Sequence, residues 1–167
     1  MLREINTSQR IKKIFLASCF DEIAANKPGN VSINSPIIGL SYQKFYRAAE
    51  ITANIISNDR YSLGEIIFKS CCQCMKELNS NYNLGIILLC APIIKVAIGN
   101  PCSEKILRLN LKNEINSIDK ENAQLIFKAI KLCNPAGLNN YKGEGNLTND
   151  IEKINFKKIM KISSEWD

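Results

Sequence analysis

Three polar junctions in this chain combine the residue types that can hold an anionic ligand: residues 22–30, 81–85 and 134–138. The first runs from Glu22 through Lys27-Pro28-Gly29-Asn30, the second is Asn81-Tyr82-Asn83-Leu84-Gly85, and the third is Asn134-Pro135-Ala136-Gly137-Leu138. Taken singly, each is ordinary turn chemistry, because Gly, Pro and Asn set backbone geometry. Together they suggest loops gathered at one end of a bundle. There Gly lets backbone approach a ligand, and Asn offers both a donor and an acceptor. Neither the P-loop pattern nor GxGxxG is present, so neither standard nucleotide motif applies.

The elements that must position these junctions all read as helices. The spacing predicts helices over 6–25, with an Ile11, Ile14, Phe15, Cys19, Ile23 stripe, and over 41–56, with Phe45, Ala48, Ala49, Thr52 and Ile56 inward. Ser62-Leu63-Gly64-Glu65 is a capping box that opens a third helix. That helix carries Leu63, Ile66, Ile67, Ser70, Cys71, Cys74, Met75 and Leu78 on one face. Residues 84–98 are apolar on every side. A membrane span needs about 20 such residues, and this run is shorter and contains Pro92 and Lys95. It therefore reads as a buried central helix bent near Pro92. Its start, after Asn81 and Asn83, offers free backbone N–H groups to an anion. A short helix over 103–111 with Ile106, Leu107 and Leu111 inward, a helix capped by Asp119, and a last helix from about residue 150 complete the set. Residues 139–149 read as an exposed loop. The fold class is all-α: a compact bundle of six to seven helices around a buried central helix.

Composition narrows the chemistry. The 167 residues contain no His, which excludes imidazole-based nucleophile activation and His-ligated zinc. A net charge of +6, spread along the chain, fits a solvated basic surface or attraction to phosphorylated small molecules. No basic stripe interleaved with aromatics points to nucleic acid. Seven cysteines, an odd number, without a leader sequence predict reduced thiols and a cytoplasmic protein. Cys71 and Cys74 lie within the helical stripe, so they read as core residues rather than as a metal site. No structural metal is expected.

The junctions also resemble a known family. The run from Cys19-Phe20-Asp21-Glu22 to Lys27-Pro28-Gly29-Asn30-Val31 is similar to the N-terminal signature of the triphosphoribosyl-dephospho-CoA synthase family. Leu63-Gly64-Glu65 with Asn81-Tyr82-Asn83-Leu84-Gly85 through Pro92 resembles its second block, and Ala129 to Leu138 its third. Order and approximate spacing agree across nearly the whole chain, closest to the Lys-Pro-Gly-Asn-Val branch.

The resemblance implies an all-helical transferase. It would move the triphosphoribosyl group of ATP to 3′-dephospho-CoA, release adenine, and so make a prosthetic-group precursor. It also implies that residues 1–167 are one domain, the N-terminal portion of a longer family fold. Such chemistry needs a charge clamp on the triphosphate, a base for the incoming hydroxyl and help for departing adenine. On this reading Lys27 contacts phosphate, and Glu22 serves as base or holds Mg²⁺ that arrives with ATP. Gly29, Asn30, Asn81, Asn83, Gly85, Asn134 and Gly137 line the substrate. Asp21 and Glu65 are weaker carboxylate candidates, Glu65 being first a capping residue. The partners implied are ATP and dephospho-CoA, with a second copy or a complementary C-terminal half. A different class of reading is an inactive helical interaction module or split-enzyme subunit, suggested by the apolar side of Ile154, Ile159, Ile162 and Trp166.

Overall fold

The computed structural model describes residues 7–25, 32–33, 41–99 and 103–135, together with Phe156 and Lys161. Over these residues the chain is all-α, with six helices and no strand. They are α1 (Thr7–Ala24), α2 (Tyr42–Ile56), α3 (Leu63–Leu78), α4 (Leu84–Gly99), α5 (Glu104–Asn116) and α6 (Lys120–Cys133). The Asn6 cap, the loop over 139–149 and the pattern of the last helix lie outside the described residues.

The central helix is α3, not α4. It packs against α2, α4 and α6, and it buries Leu63, Gly64, Ile66, Ile67, Ser70, Cys71 and Cys74. Its start is fixed by the predicted capping box: Ser62 Oγ accepts from Glu65 N–H at 3.3 Å, and Glu65 Oε2 accepts from Ser62 N–H at 2.9 Å. Asn79 ends it in the left-handed region, φ 51°, a conformation that Asn tolerates better than most residues.

The 84–98 segment was expected to be wrapped on all sides, and it is not. α4 buries Leu84, Ile87 and Ala91, whereas Leu89 is 67 % exposed and Ile93 36 %. Its all-round hydrophobicity therefore marks one face packed in the core and a second apolar face turned outward. The helix continues through Pro92. Near its end, Lys95 Nζ donates to the carbonyls of Asp59 and Tyr61 at 3.0 and 2.6 Å. The lysine thus ties α4 to the turn between α2 and α3.

The remaining elements follow the patterns with two corrections. Phe15, Cys19 and Ile23 of the α1 stripe are buried, but Ile14 is exposed. α5 runs five residues past its expected end, from 111 to Asn116. It buries nothing fully, and Ile106 faces outward. Ser103 has the extended backbone of a cap, and Arg108 bonds Glu104 one turn back. α6 starts on Asp119, whose carboxylate accepts from Asn122 N–H at 2.8 Å.

Candidate active site

The end of α1, the first half of α2, the end of α3 and the start of α4 lie together. Phe20 of α1 meets Tyr46 of α2 edge-on at 4.6 Å between ring centroids. Phe45 of α2 meets Tyr82, just before α4, at 5.1 Å and 88°. Lys44 sits over the same Tyr82 ring, its Nζ 5.9 Å from the centroid. Two of the three junctions, as far as they are described, are therefore neighbours around one end of the bundle. The third begins at Asn134, directly after Cys133. That residue packs in the same core cluster as Cys71 of α3.

Asn81 and Asn83 play different structural parts. Asn81 Oδ1 accepts from Leu84 N–H at 3.1 Å and so caps α4. Asn83 is 6 % exposed and turns inward. Its Nδ2 donates to the Ala48 carbonyl at 3.1 Å and to Thr52 Oγ1 at 2.8 Å. Thr52 Oγ1 lies 3.5 Å from Cys74 Sγ, which lies 3.7 Å from the same Ala48 carbonyl. This closed polar knot joins α2, α3 and the start of α4 inside an apolar core. Without it, buried polar groups would each cost about 1–3 kcal/mol.

Gly85, the second residue of α4, is exposed, and a Cβ placed on it would meet nothing within 4 Å. Packing gives no reason for glycine there, although glycine in a helix costs about 1 kcal/mol relative to alanine. The N–H groups of Gly85 and Ile86 belong to a first helical turn, where the helix supplies no acceptor. The first turn of α4 also has no acidic residue to occupy its positive end.

Glu22 lies in the last turn of α1, half-buried. Its charge acts on the thiol of Cys19 one turn earlier. Burial first, then Cys90 of α4 and Glu22, push that thiol from 9.0 up to about 12. Burial likewise raises Cys74 and Cys90. These thiols stay protonated at neutral pH, which makes them packing groups rather than nucleophiles. Beyond α1, Ile33 N–H donates back to the Ile23 carbonyl at 3.3 Å. Beside it Ser32 is 1 % exposed, with a hydroxyl that finds no partner.

Asn134 ends α6 in the left-handed region, φ 41°, its N–H donating to the Ile130 and Lys131 carbonyls. Its side chain is exposed. Lys27, Gly29, Asn30 and Gly137 lie outside the described residues. Sequence reasoning singled out neither Lys44 nor Thr52 as site residues. The signal was present: Lys44, Ala48 and Thr52 repeat at i, i+4, i+8 along the α2 face that meets the α4 start.

Two cavities lie elsewhere, of about 400 and 610 Å³, and both are bordered by Ser62, Glu65 and Asn122. They sit at the start of α3, one helix length from the α4 start, or about 24 Å at 1.5 Å per residue. The three residues common to both serve the fold: Ser62 and Glu65 cap each other, and Asn122 Oδ1 holds Gly64 N–H at 2.7 Å. They are grooves between helix starts. Among the described residues no group of three or more Cys, Asp or Glu is placed to hold a metal ion. None of the described helices is long and apolar enough to cross a membrane.

A family model described as CitG, ATP:dephospho-CoA triphosphoribosyl transferase, matches residues 8–167. That is nearly the whole chain. The protein belongs to the ATP:dephospho-CoA triphosphoribosyl transferase family. No curated protein and no solved structure gives a significant match. Membership makes the chain a transferase of the triphosphoribosyl-dephospho-CoA synthase type, with ATP and dephospho-CoA as the substrates the family implies.

Proposed function

We propose that this chain binds ATP and 3′-dephospho-CoA at the α1–α4 end of the bundle and transfers the triphosphoribosyl group between them. A ribose hydroxyl of dephospho-CoA attacks C1′ of the ATP ribose. The C1′–N9 bond breaks, adenine leaves with the electron pair, and the hydroxyl proton passes to a base and finally to adenine. The match over residues 8–167 carries this reading. The unfilled space at Gly85 and the uncommitted groups of the α4 start support the choice of end.

The roles follow from charge and position. Lys27 clamps the triphosphate, and Lys44, over Tyr82, adds a second cation. Amides at Gly29, Asn30 and Gly85 donate to phosphate oxygens, with Asn81, Asn83, Asn134 and Gly137 completing the contacts. Glu22 takes the hydroxyl proton. Mg²⁺ enters as the ATP complex. Such an ion keeps several waters and takes only one or two protein carboxylates, a demand that the single carboxylate of Glu22 can meet. Mg²⁺ would supply charge neutralisation along the triphosphate.

We propose also that the protein works in the cytoplasm, as the N-terminal portion of a longer fold completed by a second copy or a complementary C-terminal half. The outward apolar side chains Leu89 and Ile93 of α4, and Ile106 and Leu109 of α5, support a covering partner. Light scattering on a size-exclusion column checks this, with a clean monomer at high concentration as the opposing result.

Calorimetry with ATP·Mg²⁺ and dephospho-CoA tests the site. Wild type should bind ATP, and Lys27→Ala should bind at least tenfold more weakly. Adenine release on mixing both substrates reads the reaction itself. Equal affinity of the two proteins overturns the role of Lys27, and no binding by wild type overturns the site.

A further inference from the structure

The side-chain amides of Asn81 and Asn83 have fixed orientations, because each meets a backbone group with only one hydrogen-bonding role. Leu84 N–H can only donate, so the atom 3.1 Å from it is Asn81 Oδ1. The Ala48 carbonyl can only accept, so the atom 3.1 Å from it is Asn83 Nδ2. Neither assignment depends on choosing between two equivalent flips.

What each residue has left for a ligand is therefore opposite. Asn81 turns its carbonyl oxygen to the helix and keeps two N–H donors. Asn83 spends both N–H groups, on Ala48 and on Thr52. Its Oδ1 is the one polar side-chain atom that takes no part in the knot. Thr52 makes the arrangement hard to reverse. Its Oγ1 accepts from Asn83 and lies 3.5 Å from Cys74 Sγ, and the Cys74 thiol donates to the Ala48 carbonyl. Turning the Asn83 amide over would set its oxygen against the Ala48 carbonyl oxygen inside the core. That would leave both repelled and unpaired.

We infer that the two asparagines divide the nucleotide between them: Asn81 donates to phosphate oxygens, and Asn83 accepts from a ribose hydroxyl. The inference rests on the ATP site proposed above. A triphosphate at neutral pH offers almost only acceptors, so it pairs with Asn81 and not with Asn83. A ribose hydroxyl carries a proton and suits the lone carbonyl oxygen of Asn83. Thr52 is then a positioning residue, since it acts on the ligand only through the amide it holds.

Inorganic tripolyphosphate and ATP analogues separate the two roles. Asn81→Asp keeps an oxygen for Leu84 N–H, and an acid suits a helix start, so its melting temperature should match or exceed wild type. Its affinity for tripolyphosphate should fall at least tenfold. Asn81→Ser also keeps an acceptor for the cap but adds no charge and has a shorter reach. It should lose about threefold or more. A loss confined to the Asp variant, with Ser binding as wild type, would assign the effect to charge alone and overturn the donor role.

For Asn83, wild type should bind 2′-deoxy-ATP or 3′-deoxy-ATP about tenfold more weakly than ATP. Asn83→Ser, which keeps a good N-cap residue, should lose that preference. Equal binding of all three nucleotides by wild type overturns the acceptor role even if the variant does not fold, as does a preference the folded variant retains. A wild type that binds neither ATP nor tripolyphosphate instead overturns the site on which both roles rest.

Discussion

The starts of α3 and α4 are built from one pattern: a polar N-cap, a buried leucine and a glycine. Ser62-Leu63-Gly64 opens α3 and Asn83-Leu84-Gly85 opens α4, with the leucines 4 % and 7 % exposed. At α3 the fold uses the cap and the glycine N–H. Glu65 and Ser62 cap each other, and Gly64 N–H reaches Asn122. A Cβ on Gly64 would stand 2.7 Å from the Asn122 Cα and 2.8 Å from its carbonyl oxygen. At α4 the cap residue faces the core, the cap is supplied by Asn81 from outside the helix, and a Cβ on Gly85 meets nothing. The same three residue types thus close a helix contact in one place and leave donors and space in the other. That difference, more than the presence of Asn and Gly, separates a structural junction from a candidate ligand site.

The difference is broken most sharply at Gly64. Alanine there collides with backbone, which yields only if α6 moves away from α3. Overpacking of this kind costs about 1–3 kcal/mol, and losing the bond to Asn122 adds about 1 kcal/mol. We expect Gly64→Ala to lose about 3 kcal/mol of stability, or roughly 10 °C in a domain of this size. A melting temperature within 2 °C of wild type would mean that α3 and α6 do not meet as described.

Next in size is the knot that turns Asn83 inward. Thr52→Val keeps the shape and removes the acceptor, leaving one Asn83 N–H buried and unpaired at a cost of about 2 kcal/mol. Urea unfolding reads this loss. Thr52→Ser restores the acceptor and should recover most of it, with a small deficit for the missing methyl group. Failure of serine to rescue would make the loss one of packing, not of hydrogen bonding.

Acid should separate the helix starts more gently. The carboxylate of Asp119 is held below its ordinary value of 3.8, first by the backbone N–H of Asn122 and then by that residue's side chain. A depressed folded pKa means that the contribution to stability is present above the ordinary value and lost as pH falls through the folded value. The urea-midpoint gap between wild type and Asp119→Asn should therefore be widest near pH 5 and shrink toward pH 2. α4 has no acid in its first turn, so substitutions of Asn81 by neutral residues should show no such trend. A constant gap for Asp119→Asn would remove the carboxylate from the cap.

Much of this fold was legible in the chain, and its limits have physical causes. Caps depend on residues three apart, so Ser62 with Glu65 and Asp119 at the start of α6 could be read directly. Cys71 and Cys74 could be placed in the core because they continue an i, i+3, i+4 ladder, and they are 0 % and 3 % exposed. Hydropathy misplaced the centre, since it records how apolar a helix is and not how many neighbours cover it. Leu89 is as apolar as Leu84 and faces outward. The candidate site was half legible. Asn81 and Gly85 stood out by type. The parts that give them meaning lie across the fold: Thr52 is 31 positions from Asn83, and Asn122 is 58 from Gly64. No local pattern reports such pairs.

The smallest expected change in stability is at Gly85, and it bears most directly on function. Alanine there finds open space, and Gly85 is not among the positive-φ positions that would strain a side chain. Helix propensity alone should make Gly85→Ala more stable by about 0.5–1 kcal/mol. If the residue served only the fold, that gain would come without loss. If backbone N–H groups at the α4 start meet a phosphate, the added methyl stands where the ligand approaches, and ATP affinity should fall at least tenfold while the melting temperature rises. The opposite signs matter, because a variant that folds better and binds worse cannot have lost binding through damage to the fold. A stabilised Gly85→Ala with unchanged ATP affinity would make the α4 start a second structural junction like that of α3. The polar work of the site would then fall to Lys27, Gly29 and Asn30.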